Sequence, residues 1–309
     1  MLRATRRAAV LEDRPPYSGS PDLTILCILF ALLGAASNAT GTVLQRKAAL
    51  VVPRGDAFRL RLLLDMVRQP VWLLGICAVA CAALFQALAL IEGPLSLAQP
   101  VFILELPFAL LIALPVLHRS LPATGWYAIA CLVGGLALAV AAADPSPGTT
   151  HAPMASWIIA IVLCLGAMGL AALLATRLPS GARRAALLGA AAAIGNALTA
   201  ALIKSAANTL SEDGFVAFLT TWQTYGFAAC GIAAVFLLEN ALQAGPIAAS
   251  QPALTIGDAT VSLVLGVALF SEHIRTGWWF LPQLAGVAVI VISTFYLSRA
   301  IPLTREVSG

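Results

Sequence analysis

Nine apolar runs, at about residues 23–47, 71–92, 94–117, 122–143, 154–176, 185–208, 218–243, 246–270 and 277–298, leave this chain little choice of solvent. Each is close to the ~20 residues that a helix needs to cross a hydrocarbon core about 30 Å thick. Inside such a core a segment must satisfy its own backbone N–H and C=O groups, which dictates helices. Composition agrees: 60% of the 309 residues are hydrophobic and 10% are charged, where a soluble domain carries roughly 25% charged residues. The expected fold class is therefore all-α, a polytopic membrane protein with nine transmembrane helices.

The net charge of +4 does not point to nucleic acid, because the basic residues sort by side of the membrane. With the N-terminus outside, twelve of the 18 Lys and Arg fall on the inner side, and four of the remaining six lie in the N-terminal segment. Basic loops stay cytoplasmic. The expectation is a plasma-membrane protein with its N-terminus outside and its C-terminus in the cytoplasm. Residues 1–22, with Arg3, Arg6, Arg7 and Arg14 before Pro15-Pro16, read as a disordered tail rather than a cleavable signal peptide. Residues 300–309 read as a C-terminal tail. The stretch 50–70 is too charged for a full span; Phe58, Leu62 and Met66 suit a helix lying on the membrane, with a tenth short span the alternative. All six cysteines fall inside apolar runs without a CxxC pair, so they serve as small apolar filler.

Internal repetition organises the runs. Gly93-Pro94-x4-Gln99-Pro100 recurs as Gly245-Pro246-x4-Gln251-Pro252, an offset of 152 residues. At the same offset Thr124-Gly125-Trp126 meets Thr276-Gly277-Trp278, and Gly134 meets Gly286. Upstream, Asn38 with Arg46 corresponds to Asn196 with Lys204. Runs one to four thus pair with runs six to nine, and the fifth is an unpaired connector that reverses the second set. The expected domains are a first repeat over 23–143, a linker and connector helix over 144–183, and a second repeat over 184–299. Their relation is that of inverted four-helix repeats.

The duplicated motif carries the candidate chemistry. Pro94 and Pro246 start their helices at no cost, since the first N–H groups are unpaired anyway. Pro100 and Pro252 sit farther in, cannot donate to residue i−4, and are expected to kink their helices. Freed carbonyls at membrane depth need a partner or a wet cavity, and Gln99 and Gln251 stand beside each kink. Glu105 and Asp258 follow, roughly 16–18 Å into the core by helix rise. An acid there costs on the order of 2.5–3.5 kcal/mol. Two such acids in matched helices suit reversible protonation or displacement by a cationic solute; one carboxyl hydrogen-bonded to a neighbouring helix is the plainer alternative. Asn38 and Asn196 are matched mid-helix amides that offer oxygen ligands or interhelical hydrogen bonds.

The remaining polar residues have blander readings. Arg46 and Lys204 lie near the ends of runs and are expected to snorkel towards the interface. His118, Glu272 and His273 end runs three and eight, and read as solvated boundary residues with a gate role as the alternative. No nucleophile–base pairing, phosphate loop or metalloprotease motif is present, so no enzymatic activity and no cofactor are expected.

The pattern Ala87-x-Ala89-Leu90-x3-Pro94-x4-Gln99-Pro100 resembles the core of the drug/metabolite transporter superfamily, in its EamA-like branch. Within it, the nine-run layout resembles the magnesium-transporter-like NIPA group. The residues that carry this likeness are Gln45-Arg46-Lys47-Ala48 closing the first run, Val71-Trp72-Leu73-Leu74-Gly75 opening the second, Glu239-Asn240-Ala241-Leu242-Gln243, and Ser271-Glu272. The chain departs from the group's lysine-glycine pairs at Lys47-Ala48 and Lys204-Ser205.

The function these readings imply is secondary transport of a small metabolite or cationic solute by alternating access, with proton coupling. Glu105 and Asp258 bear the charge; Gln99, Gln251, Asn38 and Asn196 shape the cavity. The alternative is a divalent-cation carrier in which Glu105 and Asp258 ligate the metal, and a lesser one is a membrane partner protein that transports nothing. Expected partners are the lipid bilayer, a small solute, a proton or a divalent cation, and a second copy of the chain in a homodimer.

Overall fold

The computed structural model describes residues 21–51, 69–116 and 121–300. Apart from their edges, the expected tails and the surface helix of 50–70 lie outside these residues, as does His118. Among the described residues eleven α-helices follow one another: α1 (Pro21–Val51), α2 (Pro70–Glu92), α3 (Leu95–Phe102), α4 (Glu105–Val116), α5 (Ala123–Ala143), α6 (Met154–Thr176), α7 (Ala182–Asp213), the short α8 (Phe215–Thr220), α9 (Trp222–Ala244), α10 (Ile247–Phe270) and α11 (Phe280–Ala300). Among the described residues, nine segments are long and apolar enough to cross a membrane, with α3 and α4 counting as one. They match the nine runs read from the sequence.

Proline punctuates these helices at their starts. It stands at the head of α2 and immediately before α3, α5, α6 and α10 (Pro70, Pro94, Pro122, Pro153 and Pro246). There its missing N–H costs nothing, while it stops the preceding segment from running on. Two helices end on a left-handed residue: Asp144 (φ 42°) closes α5 and Ser271 (φ 52°) closes α10. Such a cap turns the chain sharply away from the helix axis.

The outer surface is what a bilayer requires. Ile158, Ile159, Val162 and Leu163 on α6, and Ile232, Val235 and Phe236 on α9, are each more than half exposed. Contiguous apolar surface of this kind is a liability in water and the natural contact with lipid. Around them Ala and Gly let helices approach closely, as packing without a hydrophobic drive demands.

α7 is the hub. Of its most apolar window 61% is buried, against 17–33% for the other spans. Its small side chains (Ala185, Gly189, Ala192, Ala193) admit α9 and α10, and α6, α2 and α3 also touch it. At Gly189 the approach is backbone to backbone: a Cβ there would lie 2.6 Å from the Ser250 carbonyl oxygen of α10. Elsewhere α1 packs on α2 and on α3–α4, and α5 packs on α11.

The two Gly-Pro loops lie at opposite ends of this hub. Gly93 accepts a hydrogen bond from Lys204, late in α7, whereas the Ala244 carbonyl, just before Gly245, accepts one from the N–H of Gly181, just ahead of α7 (2.7 Å). From residue 181 to residue 204 a helix rises about 34 Å. The end that holds Gly93 also gathers the loops after α5 and α10: Ser146 and His273 exchange backbone hydrogen bonds, and Thr149 donates to the Phe270 carbonyl.

Candidate functional site

The segment carrying the first acid is broken beyond Pro100, at residues 103–104. α3 runs through Pro100 to Phe102, and the chain then tightens: the N–H groups of Ile103, Leu104 and Leu106 donate to Pro100, Val101 and Ile103, three residues back. The cause is Pro107. Its ring crowds the carbonyl four residues earlier and supplies no N–H to it, so the Ile103 carbonyl takes Leu106 instead. α4 restarts at Glu105, which places a carboxyl in the first turn of a helix, where the peptide dipoles favour negative charge. In the second repeat the position matching Pro107 is Ala259. There α10 continues unbroken through Pro252 and Asp258.

The structure brings the two acids together. Glu105 and Asp258 are both half-buried and lie within electrostatic reach of one another. The Asn38 side chain of α1 lies beside the Glu105 carboxyl, and the Ser262 hydroxyl donates to Asp258 Oδ1 at 3.3 Å. Gly257, beside Asp258, faces Ala193 of α7. The pair therefore sits where α1, α4, α7 and α10 converge. Two carboxyls with an amide beside them suit a proton, an organic cation or a hydrated metal ion. Among the described residues no group of three or more His, Cys, Asp and Glu is placed to hold a metal.

The other expected residues are not part of this centre to the same degree. Gln99 is buried on α3, and its amide nitrogen has no hydrogen-bond partner. Asn196 is half-buried on α7, two turns before Lys204, and Gln251 is half-buried early in α10.

A second polar centre lies about two turns from Asn196. Lys204 and Glu272 form a buried ion pair at 2.7 Å. Glu272 also accepts the N–H groups of Leu95 (2.6 Å) and Ser96 (2.9 Å), the first two residues of α3. The Lys204 ammonium donates further to the Gly93 carbonyl at 3.2 Å and sits 4.8 Å from the Phe270 ring centroid. Phe270 in turn stacks edge-on against the buried Trp157 of α6. Neither charged residue is the boundary group expected: Lys204 does not snorkel, and Glu272 is not solvated. α7 carries on for two more turns beyond Lys204, to Asp213, which places the ammonium inside the bundle. His273 is exposed, as expected.

A cavity of about 900 Å³ lies on the other side of α10. Thr255, Ile256, Ala259, Thr260, Leu263 and Val267 line it from one face of that helix. At 3.6 residues per turn Asp258 projects from the opposite face. Further walls come from α3, α5 and α11, and Glu272 and Arg275 stand at one end. Gln99, Gln251, Asn38 and Asn196 do not line it, so the carboxyl pair and this cavity are separate compartments divided by α10.

No family model matches the chain, and no solved structure resembles it at a significant level. The chain is similar to an uncharacterized protein of Corynebacterium glutamicum, with 27% identity over 276 residues that cover 89% of this chain and 95% of that protein.

Proposed function

We propose that this chain is an integral-membrane secondary transporter of the drug/metabolite type, with EamA- and NIPA-like features, that moves a small metabolite or cationic solute by alternating access coupled to protons. The observation that carries this reading is that Glu105 and Asp258 lie within electrostatic reach of one another. Two acids from the two proline-led helices share one interior site, and the loops that lead into those helices lie at opposite ends of the bundle. An intramembrane carboxyl is costly unless it serves an ion or solute pathway, and a matched pair is doubly so.

Helix packing supports an inverted-repeat architecture. The partnership of α1 with α2 and α3–α4 is echoed by that of α7 with α9 and α10, while α5 and α11 pack on each other. In this reading α6 is the connector, and the repeats rock about the carboxyl pair. The Lys204–Glu272 pair fastens α3, α7 and α10 at one end and must part when that end opens. The protein works in the plasma membrane with its N-terminus outside and its C-terminus cytoplasmic. The same carboxyls and Asn38 would serve a divalent-cation carrier, since magnesium binds through one or two carboxylates and keeps several waters.

Proteoliposomes test the class. Purified protein is reconstituted, and uptake of a panel of amines, amino acids and Mg2+ is followed with and without an imposed proton gradient. Gradient-driven uptake of an organic solute supports the first reading, and gradient-independent Mg2+ entry supports the cation carrier. Uptake no greater than in empty liposomes, for every solute, would reject both.

A further inference from the structure

The cavity beside α10 is unlike the carboxyl site in every physical respect. Its volume, about 900 Å³, falls in the range of clefts that enclose a drug-sized molecule. Its body is lined by Leu136, Val140, Leu263, Val267, Val287 and Ile290, which offer no hydrogen bonds. It is also open: Val267, Phe280, Leu284 and Val287 line it and stay 40–56% exposed, on segments apolar enough to cross a membrane. A solute that enters between these residues comes from the bilayer rather than from water.

One end is polar. Ser96 lines the cavity, and its hydroxyl oxygen is buried without a hydrogen-bond partner. Gln283 is held in place there by donating to the Ala142 and Arg275 carbonyls. The charges of this end are paired, and only one pair is exposed. Glu272 is neutralised by Lys204 behind it, which leaves Arg275 as the remaining charged residue of the lining. Arg275 pairs with Asp144 at the surface, where 41% and 63% of the two side chains stay exposed, an arrangement that exchanges readily for another anion. Trp278 and Trp279 flank the same end. Exposed tryptophans mark the level of the lipid headgroups, so the polar end sits at the interface and the apolar body extends into the hydrocarbon.

We propose that this cavity binds a single-chain anionic amphiphile of the fatty-acid class. Its carboxylate lies at Arg275, and its chain lies between α5, α10 and α11. Lateral openness selects a membrane-dissolved ligand, the apolar body selects an alkyl chain, and Arg275, whose surface partner is exchangeable, selects an anionic head. Such a ligand does not suit Glu105 and Asp258, which repel anions. The inference goes beyond the transport reading and does not depend on it, because it concerns equilibrium binding with no gradient imposed.

The test uses the full-length protein in nanodiscs of zwitterionic lipid and a palmitate that carries a photoactivatable diazirine. Crosslinks are mapped by peptide mass spectrometry. Saturable labelling is expected on the segments bearing Val140, Leu263 and Val287, displaced by unlabelled palmitate but not by dodecyltrimethylammonium. Leu263→Trp and Val287→Trp fill the cavity, and Arg275→Gln removes the head contact; in each variant that keeps the wild-type thermal transition, apparent affinity weakens about tenfold. Labelling spread equally over Ile232 and Phe236 of α9, displacement by the cationic amphiphile, or undiminished labelling in the folded Trp variants would overturn the assignment.

Discussion

Lys204 Nζ lies 2.7 Å from Glu272 Oε1, and the two side chains keep only 7% and 0% of their surface exposed. Sixty-eight residues separate the partners in sequence, yet together they secure the start of a third segment, because Glu272 also holds the first two N–H groups of α3. Neutralisation by Lys204 lets a carboxylate sit there without solvent, and the helix dipole of α3 adds to its stabilisation.

Breaking one side of this pair leaves the other charge buried and uncompensated, which costs about 3–5 kcal/mol. Lys204→Met and Glu272→Gln are each expected to destabilise the protein by that order in chemical unfolding from mixed micelles. The double variant should recover much of the loss. A double-variant loss equal to the sum of the single losses would show that the two side chains act independently. Arg275→Ala, which removes an exposed pair, should cost less than about 1 kcal/mol.

The packing of α5 on α11 rests on Gly286 and not on Gly134, its match at the 152-residue offset. A Cβ on Gly286 would lie 2.7 Å from the Gly135 carbonyl oxygen and from the Ala139 N–H, while one on Gly134 meets nothing within 4 Å. Gly286→Val should therefore force the helices apart and destabilise by about 1–3 kcal/mol, whereas Gly134→Val should be neutral. Melting temperatures of the two variants in one detergent decide the matter; equal melting would contradict the contact.

Pro107 opens the helix at residues 103–104. Pro107→Ala returns an N–H to the Ile103 carbonyl and removes the ring clash, a local gain of up to about 3 kcal/mol. The expected result is slower hydrogen exchange across residues 103–108. Unchanged exchange in this segment would show that the break has another cause.

The sidedness of the loops is open to chemical labelling. In a background without the native cysteines, Ser146→Cys and Ser180→Cys place thiols at exposed positions at opposite ends of the bundle. An impermeant maleimide is expected to reach Ser146→Cys from outside intact cells and Ser180→Cys only after lysis. Labelling of both from one side would contradict the two-ended arrangement.

Much of this architecture is legible in the residues. The apolar runs and the prolines that lead them mark the spans to within a few positions, because bilayer thickness and the missing proline N–H are strong local constraints. The electrostatic reach between Glu105 and Asp258 accords with the duplicated motif, which sets each acid a similar number of residues into its segment. Lys204 and Glu272 were harder to place. A charge near the end of an apolar run looks the same whether it faces water or a partner far away in sequence. The signal available was the continuation of the helical pattern past Lys204 to Asp213. Pro107 was overshadowed by Pro100, although only Pro107 lacks a counterpart in the second repeat. The cavity beside α10 left no motif at all, because its wall is ordinary aliphatic sequence whose meaning comes from the crossing of four segments.

The most direct measurement of the central claim is gradient-driven uptake in proteoliposomes for Glu105→Gln and Asp258→Asn beside the wild type. Both variants remove charge and preserve shape. If the pair is the transport site, each variant loses more than about tenfold in uptake rate, or about 1.4 kcal/mol of barrier, while remaining folded and inserted. Wild-type uptake in both variants would contradict the account.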